Sequence, residues 1–145
     1  MFPCRLIVCE KTSHFAPALR RELIDHPSFV VETRSLPGCL AALAESPESL
    51  IAIEVTPANL ESAITFIEQV GRRYPQSSTV ALVDADTLPA SNLLAEAGAI
   101  AVFTSVLESS RLAQLAQRKL AQATKPELTL PEFINQRLPW PAFAS

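Results

Sequence analysis

Acidic and hydroxyl residues stand at the ends of four apolar runs in this chain. Glu10, followed by Lys11, closes "RLIVC" (5–9), and Glu54 lies near the end of "LIAIEV" (50–55). Asp84 ends "TVALVD" (79–84), while Thr104 and Ser105 fall late in "IAVFTSV" (100–106). Carboxylates brought together in this way can hold a hard cation, because Mg²⁺ and Ca²⁺ need oxygen donors and little else. They can also pair with a cation built into the chain, and Lys11 is the one at hand. The expected state is that ion pair, with Lys11 folded over the site onto Glu54 or Asp84, since buried carboxylates seldom go unpaired. Plain solvent exposure is one alternative. An oxygen site for Mg²⁺ made by Glu10, Glu54 and Asp84 is the other.

Other chemistries lack their residues. His14 and His26 are the only histidines. Both read as surface positions at helix ends, and no Ser-His-Asp spacing accompanies them. With glycine only at positions 38, 71 and 98, the chain has neither a P-loop nor G-x-G-x-x-G. Cys4, Cys9 and Cys39 form an odd set without C-x-x-C spacing, which suggests neither a disulfide framework nor zinc. Catalysis is not expected.

The elements that must position these residues follow from hydropathy. At 145 residues and 48% hydrophobic, the chain is long enough for one domain with a proper core. Its net charge of −3 and dispersed basic residues argue against a nucleic-acid surface. No apolar stretch approaches the ~18 residues of a membrane span, so a cytoplasmic protein is expected. The runs at 5–9, 50–55, 79–84 and 100–106 are nearly continuous in apolar residues, as parallel strands covered on both faces are. "FVVETR" (29–34) admits polar residues sooner and reads as an edge strand.

Helical patterns lie between the runs. "SHFAPALRRELIDH" offers Ser13 as N-cap and Phe15, Leu19 and Leu23 on one face. "PGCLAALAES" is short and alanine-rich. "NLESAITFIEQVGRRY" starts at Asn59 as N-cap and is expected to stop near Gly71, while "LPASNLLAEAGA" ends at Gly98, a left-handed C-cap. "ESSRLAQLAQRKLAQA" aligns Leu112, Leu115, Ala116 and Leu120. Alternation with short connections specifies an α/β protein, a (βα)5 doubly wound five-stranded parallel sheet with functional groups beyond the strands' carboxyl ends. Residues 1–124 form this domain. Residues 125–145, with prolines at 126, 131, 139 and 141, read as an extended tail.

"LLAEAGAIAVFTSVLESSRL", with "LIVCEK" and "LIAIEVTP", resembles the CheY-like receiver domain of bacterial two-component response regulators, a flavodoxin-like fold. The likeness covers residues 5 to about 122. It implies a phosphoryl-transfer site with an aspartate nucleophile, two acids holding Mg²⁺, a hydroxyl and a Lys-Pro pair. This chain departs from that pattern at nearly every position. The acid pair becomes Glu10 and Lys11, the nucleophile Glu54, the hydroxyl Asp84, the lysine Ser105, the proline Val106 and the strand-5 aromatic Val102. A glutamate carries its carboxylate about 1.5 Å too far for the aspartate's geometry. An acid in place of the hydroxyl, and no lysine, both oppose a dianionic phosphoryl group.

The expectation is thus a degenerate pseudo-receiver that serves as a phosphorylation-independent protein-interaction module in signalling. A cation or small-ligand binder using the acidic pocket and an atypical phosphoacceptor are the alternatives. The likeness implies a partner face made by the fourth helix, fifth strand and fifth helix, here Leu93, Leu94, Val102, Arg111, Gln114, Gln117 and Arg118, with a homodimer as one use. The tail supplies a second candidate, with Phe133, Ile134, Leu138, Trp140 and Phe143 among its prolines. Trp is enriched among binding hot spots. The tail folding back onto its own domain is slightly favoured, because so many exposed apolar groups would be a liability.

Overall fold

A computed structural model of the protein describes residues 4–25 and 29–124. Strands form where β-branched and aliphatic residues run unbroken: β1 (Leu6–Cys9), β2 (Val30–Thr33), β3 (Leu50–Val55), β4 (Ser78–Val83) and β5 (Ala99–Phe103). Helices α1 (Phe15–Glu22), α2 (Leu36–Glu45), α3 (Leu60–Arg73), α4 (Ser91–Ala97) and α5 (Ser109–Thr124) follow them in turn. All strand pairs are parallel, in the order β2-β1-β3-β4-β5. The order reverses between β1 and β3, which puts the topological switch point at the carboxyl ends of those two strands.

Alternation along each strand divides the core into two layers. Leu6, Val8, Leu50, Ala52, Val80, Leu82 and Phe103 face α1 and α5, where they meet Phe15, Leu19, Leu112 and Ala116. Ile7, Ile51, Ile53, Ala81 and Val83 face the other way, onto Cys39, Leu43, Phe66, Ile67, Val70 and Leu94. The central strands β1, β3 and β4 are covered on both faces, as their unbroken apolar composition requires. β2 is an edge, as expected. β5 is the other edge, where a doubly covered strand was expected. Its pairing with β4 shifts register between Thr79 and Val80, and Ile100 is left 59% exposed.

Two local expectations change, at Ser13 and at Gly71. Ser13 is not the N-cap of α1; His14 takes that place and its side chain caps nothing. Asn59 occupies the N-cap position of α3 as expected, though without a side-chain bond to the helix. Gly71 does not stop α3, which runs on to Arg73, because the position is open and its backbone is compatible with a helix. Gly98 does end α4, at φ 129°, with its N–H on the carbonyls of Leu94 and Ala95. The three cysteines are buried and free. Burial pushes the Cys4 thiol up to about 11 and the Cys39 thiol up to about 12, so both are neutral small hydrophobes at physiological pH.

The two glycines predict opposite effects of one change. Gly71→Ala meets open space within a helix and is expected to stabilise the protein by about 0.5–1 kcal/mol. Gly98→Ala forces an L residue to positive φ and sets a Cβ 3.4 Å from Ile67, at an expected cost of about 1–2 kcal/mol. Urea midpoints of the two variants measure both, and equal shifts would contradict this account.

Candidate functional site

The cleft beyond the strand ends holds about 180 Å³ and is lined by Glu10, Glu54, Asp84 and Ser105, with His14 and Thr104 among its neighbours. Four of the five residues expected there do come together. The fifth, Lys11, enters through its main chain.

Glu10 is the most committed of them. It directly follows β1 and is only 3% exposed. Its carboxylate accepts the N–H groups of His14 (3.1 Å), Phe15 (3.0 Å to Oε2, 3.2 Å to Oε1) and Ala16 (3.0 Å). Those are the free donors at the start of α1, and a negative charge is favoured there by the helix dipole. Glu10 thus performs the capping that Ser13 and His14 do not. The acid expected as a metal ligand is part of the scaffold.

Glu54 projects from β3 into the cleft, half-buried, and its Oε1 accepts the N–H of Lys11 at 3.0 Å. The expected ion pair is replaced by this bond. The Lys11 side chain is exposed and makes no salt bridge among the described residues. Solvating a long ammonium costs less than ordering it over a cleft whose carboxylates already have donors. Behind Glu54, the Asn59 amide donates to the Glu54 carbonyl (3.0 Å) and its Oδ1 accepts the Thr56 N–H (2.7 Å). Asn59 therefore fastens the β3–α3 loop.

Asp84 lines the cleft and closes its own loop. Its Oδ1 accepts from the Thr87 N–H (2.9 Å) and hydroxyl (2.8 Å), and the hydroxyl above all holds the Asp84 carboxyl below its ordinary value. Ser105 accepts the Leu107 N–H at 3.1 Å, while Glu108 accepts the N–H (2.7 Å) and hydroxyl (3.1 Å) of Thr104. Glu108 also pairs with Arg111 at 3.0 Å, and its carboxyl is lowered chiefly by the Thr104 N–H. Sequence reasoning missed this unit, although "SVLE" (105–108) carries the S-x-x-E spacing of a capping box.

The donor set proposed for a hard cation is not assembled. Both Glu10 oxygens face main-chain donors and Asp84 Oδ1 is engaged by Thr87. Among the described residues, no group of three His, Cys, Asp or Glu side chains is placed to hold a metal ion. Two further residues tie the edge strand to the site. Arg34 donates to the Glu10 carbonyl at 3.1 Å and pairs with Glu32, which also takes Arg20 at 2.8 Å. The Arg20 bond is the main reason that the Glu32 carboxyl lies below its ordinary value. On the proposed partner face, Arg111, Gln114, Gln117 and Arg118 are exposed, but Leu94 is fully buried in the core. Trp140 and Phe143 lie outside the described residues.

Removing the α1 cap should be expensive. Glu10→Ala leaves the donors of His14, Phe15 and Ala16 without an acceptor, and an expected loss of about 1–3 kcal/mol is read from urea denaturation. A loss under about 0.5 kcal/mol would refute the capping role. On the acid side, the lowered carboxyls of Glu32, Asp84 and Glu108 contribute stability that is complete above their ordinary values of 4.5, 3.8 and 4.5. That contribution is lost as pH falls through the lowered folded values. The thermal midpoint should drop on titration from pH 5 to 3, and a constant midpoint would contradict it.

The sequence matches no family model and no curated protein. The fold does match solved structures. A response regulator from Thermotoga maritima superposes with a TM-score of 0.61 at 12% identity, covering 83% of this chain and 99% of that one. A CheY-like protein (tadZ) from Pseudomonas aeruginosa PAO1 gives 0.66 at 23% identity, over 79% and 98% of the two chains. A putative pilus assembly-related protein from Burkholderia pseudomallei gives 0.62 at 16%, over 86% and 95%. Strand order, helix placement and these superpositions agree: the chain has the five-stranded CheY-like fold of response regulator receiver domains.

Proposed function

We propose that this chain is a regulatory receiver-like module that works without phosphorylation and acts through a protein partner. One observation carries the reading: the carboxylates at the strand ends are engaged by the protein's own N–H and O–H groups. Glu10 holds α1, Glu54 holds Lys11 N–H and Asp84 holds Thr87. Phosphoryl transfer needs a counter-charge for the phosphoryl oxygens and a group that follows them as well as a carboxylate oxygen. Glu54 Oε2 takes no part in the Lys11 bond, so the counter-charge and the following group are what the site lacks. Here the position of the counter-charge is Ser105, which caps a turn.

A module without a chemical switch acts through its surface. The α4, β5 and α5 face supports this use, with Leu93 52%, Ile100 59% and Leu107 92% exposed beside Arg111 and Arg118. Such a mixture of exposed apolar groups and arginines is characteristic of contact surfaces. The partner is a second copy or a different protein. Likeness to a pilus assembly-related protein favours a protein assembly as the setting. Nucleic acid is disfavoured by the net charge of −3. Among the described residues, no helix is long and apolar enough to cross a membrane.

Amide NMR of the chain, titrated with Mg²⁺ and then beryllofluoride, tests the silent site. No shifts near residues 10, 54, 84 and 105 are expected. A beryllofluoride response that spreads to α4 and β5 would sink the reading and restore phosphorylation. For the surface, light scattering should show mass rising with concentration if the partner is a second copy, and Ile100→Asp should then return the protein to monomer. A dimer indifferent to Ile100→Asp would place self-association elsewhere.

A further inference from the structure

α2 and α3 do not close on one another. α2 packs on β1 and β2, and α3 on β3 and α4. Two clefts of about 420 Å³ and about 370 Å³ lie between these helices, and Leu40 and Gln69 line both, making one furrow. Its exposed apolar lining is Leu36 and Leu40 on α2, half-buried, beside Phe66 and Val70 on α3, which the core already covers. Its ends differ in charge. Glu61, in the first turn of α3, stands at the end nearer the strands' carboxyl termini, and Arg72 and Arg73 stand with Tyr74 at the other.

We propose that this furrow is the docking site of the chain's own residues 127–141. This goes beyond the reading above, which concerns the opposite flank of the sheet and does not depend on it. Three observations select this occupant.

The first is delivery. The ammonium of Lys119, on the last turns of α5, binds the Gln76 carbonyl and lies 3.5 Å from the Ser78 hydroxyl at the start of β4. The same turn begins at Tyr74, whose carbonyl accepts from Ser77, so α5 ends at the same end of the strands as the furrow's arginines, on the opposite face of the sheet. The stretch from Thr124 to Glu132 spans up to about 26 Å when extended, enough to round the sheet's lower edge.

The second is charge order. Entering at Arg72 and Arg73, the segment brings Glu127 and Glu132 first and Arg137 later. About 16 Å of helix separates Arg72 from Glu61. About 16 Å of extended chain separates Glu132 from Arg137. Both charge pairs can therefore form in one alignment, with Glu132 at the arginines and Arg137 at Glu61. The third is apolar fit. Phe133 and Ile134 would fall between the two pairs, over the half-buried Leu40, and Leu138 and Trp140 would follow toward Leu36 and Pro37. Prolines 131, 139 and 141 favour the extended form that this alignment needs.

Trp140 is the chain's single tryptophan, so its fluorescence reports this contact in the full-length protein. The expected result is blue-shifted emission and acrylamide quenching several-fold weaker than for free tryptophan. Leu40→Arg, and separately Arg72→Glu with Arg73→Glu, should shift emission to the red and raise quenching, with the far-UV circular dichroism unchanged. Adding Glu127→Arg and Glu132→Arg to the arginine variant should restore the protection. If Leu40→Arg does not fold, the exposed arginine pair still decides the matter. Wild-type quenching like that of free tryptophan would overturn the proposal. So would protection indifferent to both variants, or protection lost on dilution, which would put the segment on a second copy.

Discussion

The bond set on which the upper half of this molecule depends is the capture of three main-chain N–H groups by one buried carboxylate. α1 begins without a side-chain cap of its own, and it forms the larger part of one core layer with α5. Glu10 supplies the missing acceptors from the end of β1, so strand end and helix start are fixed by the same residue. The Glu10 carbonyl takes Arg34, which joins β2 to the set, and the next N–H, that of Lys11, goes to Glu54 on β3. The first three strands are thus locked together at their carboxyl ends by side chains as well as by their ladder. A carboxylate beside a helix N-terminus is stabilised as the anion, and desolvation is offset by its three donors.

The same device recurs around the cleft. Asp84 closes the loop after β4 on Thr87, Asn59 closes the loop after β3, and Glu108 closes the loop after β5 on Thr104. Each of these three closures is local, made within five residues of its partner. A receiver that switches needs at least one of these loops free to follow a phosphoryl group. Here every loop at the carboxyl ends is held by a side chain already in its place. The lone glutamate in "LIAIEV" is explained by this pattern: it fastens the neighbouring loop by accepting a main-chain proton.

How far the sequence was legible depended on the range of the interaction. Strand and helix identities followed from unbroken apolar runs and from helical faces such as Leu112 and Ala116, because burial imposes its period on the residues themselves. Gly98 was legible for the same reason, since positive φ restricts residue type. Gly71 was not, because a glycine in open space leaves no mark that distinguishes it from a stop. Leu94, expected on the surface, turned inward because α4 is short and packs on α3. The gathering of acids at the strand ends was readable; their partners were not. Which donor a carboxylate meets across β1 and β3 is decided by register, and Glu54 met the Lys11 N–H where charge alone suggested the ammonium. Only the S-x-x-E spacing of Ser105 and Glu108 marked a capped turn locally, although Ser105 meets the Leu107 N–H and Glu108 meets Thr104.

In the cleft, acids already have donors. On the flanks, Ile100 and Leu107 stand out at the β5 edge, and Arg72, Arg73 and Glu61 bracket an apolar furrow between α2 and α3. Apolar area gains by leaving water wherever a partner can cover it, whereas a carboxylate with its donors in place gains little from a new ligand. A sheet whose loops are fixed offers both flanks in a constant geometry, which lowers the ordering cost of association for whatever segment or protein binds them.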